Sequence, residues 1–342
     1  MNTSLATSPD GNGRRFQVLA LSGGGFRGLY TAQVLADLET EIGGSIARHF
    51  DLIAGTSVGG ILALAVAMEI PARKIVELFV DHGEEIFKKR LSLGGFFRAP
   101  YSSEPLAKLL RADDLFGQRL LGECLHPVIV PSINYSSGKP VIFKTPHHAN
   151  FKRDHTYQMV DVALATSAAP AYFPRHSFGN NQYVDGGLFA NAPGMLANHE
   201  ALTFFNRAQD DVWMLAVGTM SSRFTVDPRG NRSGGTFDWG GWNPAETPKR
   251  LFGLAISVQE SLTDFILKHR LGPRYQQLDD DLTERRAGAV ALDKATAAAR
   301  EVLQGAAAER SKFAIGDQTI RNFFTHRPEA ATFFYGPRAA QE

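Results

Sequence analysis

Ser57 is the residue with the clearest chemical signature. It stands in Gly55-Thr56-Ser57-Val58-Gly59, a G-x-S-x-G pentapeptide. Before it lies a short apolar run, 52–54, that reads as a buried strand. After it, 61–68 is apolar at helical length. A serine at the apex of so sharp a strand-to-helix turn has its hydroxyl exposed above the sheet, where it can act as a nucleophile. Glycines two positions away on each side allow the tight turn and the close approach of strand to helix. The following helix presents its positive end to the hydroxyl. A serine capping an ordinary βα loop fits the same five residues, and both readings stand on them alone.

A second glycine cluster, Ser22-Gly23-Gly24-Gly25-Phe26-Arg27-Gly28, follows the strand-like Phe16-Gln17-Val18-Leu19-Ala20-Leu21 and precedes a helical pattern over about 29–38. Consecutive glycines after a strand let backbone N–H groups converge on an anion. Gly23, Gly25 and Gly28 satisfy G-x-G-x-x-G, so a dinucleotide site competes here. That site needs an acidic residue at the end of the second strand, whereas Asp51 lies at the beginning of the 52–54 run. The alternative is that the Gly24 and Gly25 amides form an oxyanion hole beside Ser57, since successive parallel strands usually neighbour each other. Arg27 would then hold a substrate phosphate or carboxylate, or be a solvated arginine at a helix start.

A serine nucleophile needs a base. Among ten histidines, none follows an acid in a convincing late position. His269 sits in a lysine-flanked helical stretch and His326 in a tail segment. Asp185, after Gln182-Tyr183-Val184 and before Gly186-Gly187, is the better candidate, although Asp-Gly-Gly alone is commonly a hairpin turn.

Taken in order, G-G-G-F-R-G at 23–28, G-T-S-V-G at 55–59 and D-G-G at 185–187 resemble the patatin-like phospholipases. The run 165–174, Ala-Thr-Ser-Ala-Ala-Pro-Ala-Tyr-Phe-Pro, is similar to the segment before that family's aspartate. The resemblance spans roughly 16–220. It implies Ser57 as nucleophile, Asp185 as base of a two-residue dyad, Gly24 and Gly25 amides as oxyanion hole, and Arg27 as support for that loop. Gly23, Gly28, Gly55, Gly59, Gly186 and Gly187 are the motif glycines. Shielding by Phe173 and Phe189 would raise the Asp185 pKa toward working pH. The chemistry calls for no cofactor and no metal; His147-His148 lacks patterned cysteine or acidic partners. The chain length and the 16–30 run resemble the bacterial anti-phage effectors of this family, which a cyclic dinucleotide activates. That resemblance implies a nucleotide site away from Ser57 and assigns no residues to it. Trp239 and Trp242 are as readily loop anchors as stacking partners.

These residues need a scaffold. Near-continuous apolar strands alternating with helices predict a three-layer α/β fold, with a mostly parallel sheet, helices on both faces, and extra C-terminal helices. Residues 16–335 are expected to form one acyl hydrolase domain, with 16–220 as its core and 229–335 as a Gly- and Trp-rich loop plus helical extension. The polar stretches 1–15 and 336–342 are expected to be tails, the first a disordered one and not a signal peptide. At 342 residues and 44% hydrophobic, the chain can bury a large core. A net charge of +1 gives no field to recruit a DNA or RNA polymer. Cys124 is the sole cysteine, which fits a reducing compartment. No apolar run approaches the roughly 18 residues of a membrane span. The expected setting is cytoplasmic, acting on phospholipid at the inner face of the membrane, with Phe96 and Phe97 as a candidate docking pair. Assembly into a homo-oligomer is not legible.

Overall fold

The computed structural model describes residues 15–90, 99–220, 247–282 and 289–339. Residues 1–14, Phe96, Phe97, Trp239, Trp242, most of the 229–248 loop and 340–342 lie outside the described residues. In chain order the elements are β1 (Phe16–Leu21), α1 (Gly28–Ile42), β2 (Leu52–Gly55), α2 (Val58–Ala67), α3 (Ala72–Ile86) and α4 (Glu104–Leu110). There follow β3 (Val128–Asn134), β4 (Lys139–Lys144), α5 (Met159–Thr166), β5 (His176–Phe178), β6 (Asn181–Asp185), α6 (Gly187–Ala190), α7 (Gly194–Thr203) and β7 (Val212–Val217). The last are α8 (Thr247–Leu271), β8 (Tyr275–Leu278), α9 (Ala297–Gly316) and α10 (Gln318–Arg321).

β1 is buried along its whole length because each face meets a helical layer. Leu19 and Leu21 enter the larger core with Leu29 and Leu35 of α1 and Leu62 of α2. Phe16, Val18 and Ala20 point the other way, onto Ala197 and Ala201 of α7 and Leu267 and Leu271 of α8. The period-2 alternation of a strand thus divides one apolar run between two cores.

The sheet has eight strands, ordered β5-β6-β3-β2-β1-β7-β8, with β4 paired to β3. β1 is parallel to β2 and β7, β2 to β3, and β7 to β8. The parallel expectation stops at β3, which runs antiparallel to both β4 and β6. β4 occupies one edge of β3 from Ile129 to Asn134. The other edge is shared: Ile129 pairs Ala54 of β2, and Ser132 pairs Asp185 of β6. Pro131, which has no N–H to give, sits where one partner strand hands over to the next.

The stretch 276–283 is polar in sequence, between two helical patterns, yet Tyr275–Leu278 is a strand on the outer edge of β7. At a sheet edge only Tyr275 and Leu278 need be buried, so Gln276 and Gln277 hide the apolar signal.

Candidate active site

The shared edge of β3 explains how two distant side chains meet. Ser57 lies three residues past Ala54, and Asp185 stands three residues along β3 from Ala54's partner Ile129. At about 3.3 Å per residue the two advance together. Ser57 Oγ donates to Asp185 Oδ2 at 2.6 Å.

Ser57 has φ 56° and ψ −127°, a strained conformation for a non-glycine residue, and α2 begins at the next residue. The turn closes tightly: a Cβ on Gly55 would lie 2.0 Å from the Gly59 carbonyl oxygen, and one on Gly59 would lie 2.3 Å from that of Leu21. The Ser57 N–H donates to Thr166 Oγ1 at 3.0 Å, while the Thr166 hydroxyl donates to the Pro131 carbonyl at 2.6 Å. Thr166 thereby ties the turn to the strand that also sets Asp185.

Asp185 is 1% exposed and Ser57 8%. Burial lifts the Asp185 pKa from its ordinary value to about 7, against the Ser57 hydroxyl and the Gly187 N–H, which favour the carboxylate. The Gly187 N–H reaches Asp185 Oδ1 at 2.7 Å. Phe173 is among the aromatic residues lining the cavity over this pair; Phe189 is not. Among the described residues no histidine lines it. His326 pairs with Asp51 at 2.8 Å, and His269 is exposed on α8.

The glycine loop is held from behind. The Gly23 carbonyl accepts from both Asn191 Nδ2 and Thr219 Oγ1, each at 3.0 Å. In a trans peptide the N–H points opposite to the C=O, so the Gly24 N–H is directed away from these two side chains. The Gly24 carbonyl accepts from the Arg27 N–H at 3.1 Å, which orients the Gly25 N–H in the same manner. Neither the Gly24 nor the Gly25 amide has a protein acceptor among the described residues, and both residues line the cavity with Ser57 and Asp185. Gly25 adopts φ +56°, which favours glycine.

The Arg27 guanidinium is buried and donates to the Met220 carbonyl at 3.0 Å. Burial lowers its pKa, with Glu260 and Asp279 nearby opposing the shift. It lies outside the lining of the cavity. Gly28 packs so closely on α2 that a Cβ there would lie 2.3 Å from Val58. With Asp51 accepting from the Gln17 N–H at the far end of the sheet, the glycine run faces a serine and not a ribose-binding carboxylate.

The cavity has walls from Ile61, Ile75, Phe79, Phe173, Phe252 and Ile256. Apolar walls around Ser57 and Asp185 suit an acyl chain in character. A hydroxyl bonded to a buried carboxyl, with two amides that have no acceptor among the described residues beside an apolar slot, is an arrangement suited to acyl transfer. Sequence reasoning passed over Thr166, Asn191 and Thr219, although the first lies in the 165–174 run and the second six residues after Asp185.

A family model described as patatin-like phospholipase matches residues 19–197. A Pseudomonas aeruginosa protein named cGAMP-activated phospholipase is 44% identical over 330 residues, covering 94% of this chain and 96% of its own. A Vibrio cholerae protein of the same name is 34% identical, covering 94% of this chain and 95% of its own. An Escherichia coli protein, also so named, is 31% identical and covers 91% and 93% respectively.

Proposed function

The chain belongs to the patatin-like phospholipase family, and on that premise we propose that it hydrolyses membrane phospholipid esters through a Ser57–Asp185 dyad under cyclic dinucleotide control. The observation that carries the dyad is the 2.6 Å hydrogen bond inside an apolar cavity. Ionised Asp185 takes the Ser57 proton as Oγ bonds to the ester carbonyl carbon. The carbonyl electron pair moves to oxygen, where the Gly24 and Gly25 amides receive the charge. Collapse breaks the bond to the leaving alkoxide, which takes the proton from Asp185 and departs as lysophospholipid. Asp185 then deprotonates water, which attacks the acyl-serine; the proton returns to Ser57 and the fatty acid leaves. One oxyanion donor is worth about 3–4 kcal/mol of barrier. Arg27 supports the loop that presents those donors.

Nucleotide control is supported by the relatives' shared name, because their similarity extends over nearly the whole chain and not only the matched core. The setting is then the anti-phage role implied by the sequence resemblance, with action at the inner face of the membrane. Among the described residues no helix is long and apolar enough to cross a bilayer. The test is fatty acid release from mixed phospholipid vesicles, with and without a panel of cyclic dinucleotides that includes cGAMP. Release should be low alone and rise with one nucleotide, and Ser57→Ala or Asp185→Asn should abolish it. Hydrolysis surviving both substitutions overturns the dyad. A rate indifferent to every nucleotide leaves a constitutive acyl hydrolase.

A further inference from the structure

We propose that the outer face of α8 is the surface by which the protein seats on an anionic phospholipid bilayer. The inference rests on the phospholipase reading above and adds where the membrane is met. Leu251, Val258, Leu262 and Phe265 are 46%, 57%, 54% and 62% exposed. At 3.6 residues per turn these four fall within about 60° of one another around the helix. The opposite face carries Phe252, Ile256, Thr263 and Leu267, all buried. Phe252 and Ile256 line the catalytic cavity. One helix therefore shows lipid-compatible side chains outward and roofs the acyl slot inward, separated by a helix diameter of about 10 Å.

Charge decides which apolar partner fits. Arg250, Lys268 and Arg270 are exposed at the two ends of the stripe. Lys268 lies 3.6 Å from Asp264 yet keeps 59% of its side chain exposed. The acidic residues of α8 turn inward: Glu260 accepts from Asn191, and Asp264 from the Tyr275 hydroxyl. The outward face of α8 thus joins apolar groups to cations and has no fully exposed carboxylate. That is the composition of a helix lying in the headgroup region of an anionic membrane. A second copy is a poorer occupant. Antiparallel pairing about the stripe would set Arg250 against Lys268, and parallel pairing would set each cation against itself. α6 packs along α8, and its Leu188, three residues after Asp185, is 39% exposed.

The test is co-sedimentation of the full chain with phosphatidylcholine vesicles containing or lacking phosphatidylglycerol, with and without cGAMP. Turnover of a short-chain soluble ester is measured in parallel. Wild type should bind the anionic vesicles. Leu262→Gln/Phe265→Gln should weaken binding about tenfold or more, and Arg250→Gln/Lys268→Gln roughly fivefold per cation, with a shallower salt dependence. Both variants should turn over the soluble ester at the wild-type rate. If the apolar pair does not fold, Phe265→Gln alone makes the same test. Unchanged binding by the variants, or no binding by wild type, overturns the proposal. So does a lipid-free molar mass that falls on Leu262→Gln/Phe265→Gln, since the stripe is then a contact between copies. Failure of the phospholipase reading shows separately, as ester turnover that Ser57→Ala leaves intact.

Discussion

On the proposed dyad, the buried carboxyl of Asp185 should set the pH dependence of both catalysis and stability. Its pKa of about 7 makes this carboxyl half protonated near neutrality. Turnover of a soluble ester should therefore rise with pH and level off above about 7, and a pH–rate profile flat through that region would remove Asp185 as the base. Stability should move the opposite way. Between the ordinary 3.8 and about 7 the native chain keeps a proton that the unfolded chain has lost. Stability then falls as pH rises through that window and stays lower above it. Asp185→Asn, which cannot ionise, should gain roughly 1–4 kcal/mol over wild type near pH 8 and lose that advantage toward pH 4, read by denaturant melts at the two pH values. The serine and the aspartate were legible because tight turns leave glycines at fixed spacing around them. Thr166, Asn191 and Thr219 were not, since each contributes hydrogen bonds from a segment with no pattern of its own. The bond from the Arg27 guanidinium to the Met220 carbonyl was not legible either, and it favours the loop-support reading of Arg27 over the substrate-holding one.

Among the elements, β3 sets the geometry by lending one edge first to β2 and then to β6. Gly186 is where this arrangement is least forgiving. A Cβ there would lie 2.4 Å from the Pro131 carbonyl oxygen, while its own φ of −67° would suit any residue. Gly186→Ala therefore acts through contact alone, pushing the end of β6 off β3 and drawing Asp185 away from Ser57. It should cost roughly 1–3 kcal/mol and lower ester turnover at least in proportion. Gly316→Ala, with open space around it, should do neither. Thermal melts and steady-state rates on the two variants check this. The order of strands and helices up to α2 was readable from alternating apolar runs. The handover on β3 was not, because Val128, Ile129 and Val130 are apolar whichever strand lies beside them. β8 escaped for the reverse reason, an edge position that tolerates glutamine.

At the scale of the whole molecule, the motifs lie within 16–220, yet that part is expected not to stand alone. The C-terminal third closes the structure at four places. β8 covers the edge of β7, and α9 lays Leu303 and Ala307 into the core that α1 shares. Phe323 is fully buried, and its carbonyl accepts from Gln17 Nε2 at 2.9 Å. The fourth place touches the candidate site: the Phe26 N–H donates to the Leu292 carbonyl at 2.8 Å, and a Cβ on Gly25 would lie 2.3 Å from that same oxygen. The loop bearing the two amides is thus shaped against a residue well over two hundred positions away. A chain ended after Met220 would keep Ser57, Asp185 and every motif glycine while losing this backing. It would also expose the β7 edge and the outer face of α1, a template for aggregation. Such a chain should show no cooperative thermal transition and no ester turnover, and supplying 221–342 as a second polypeptide should restore both in part. A cooperative melt with wild-type turnover from 1–220 alone would instead show that the C-terminal third is separable from the catalytic unit, leaving it free to serve regulation only.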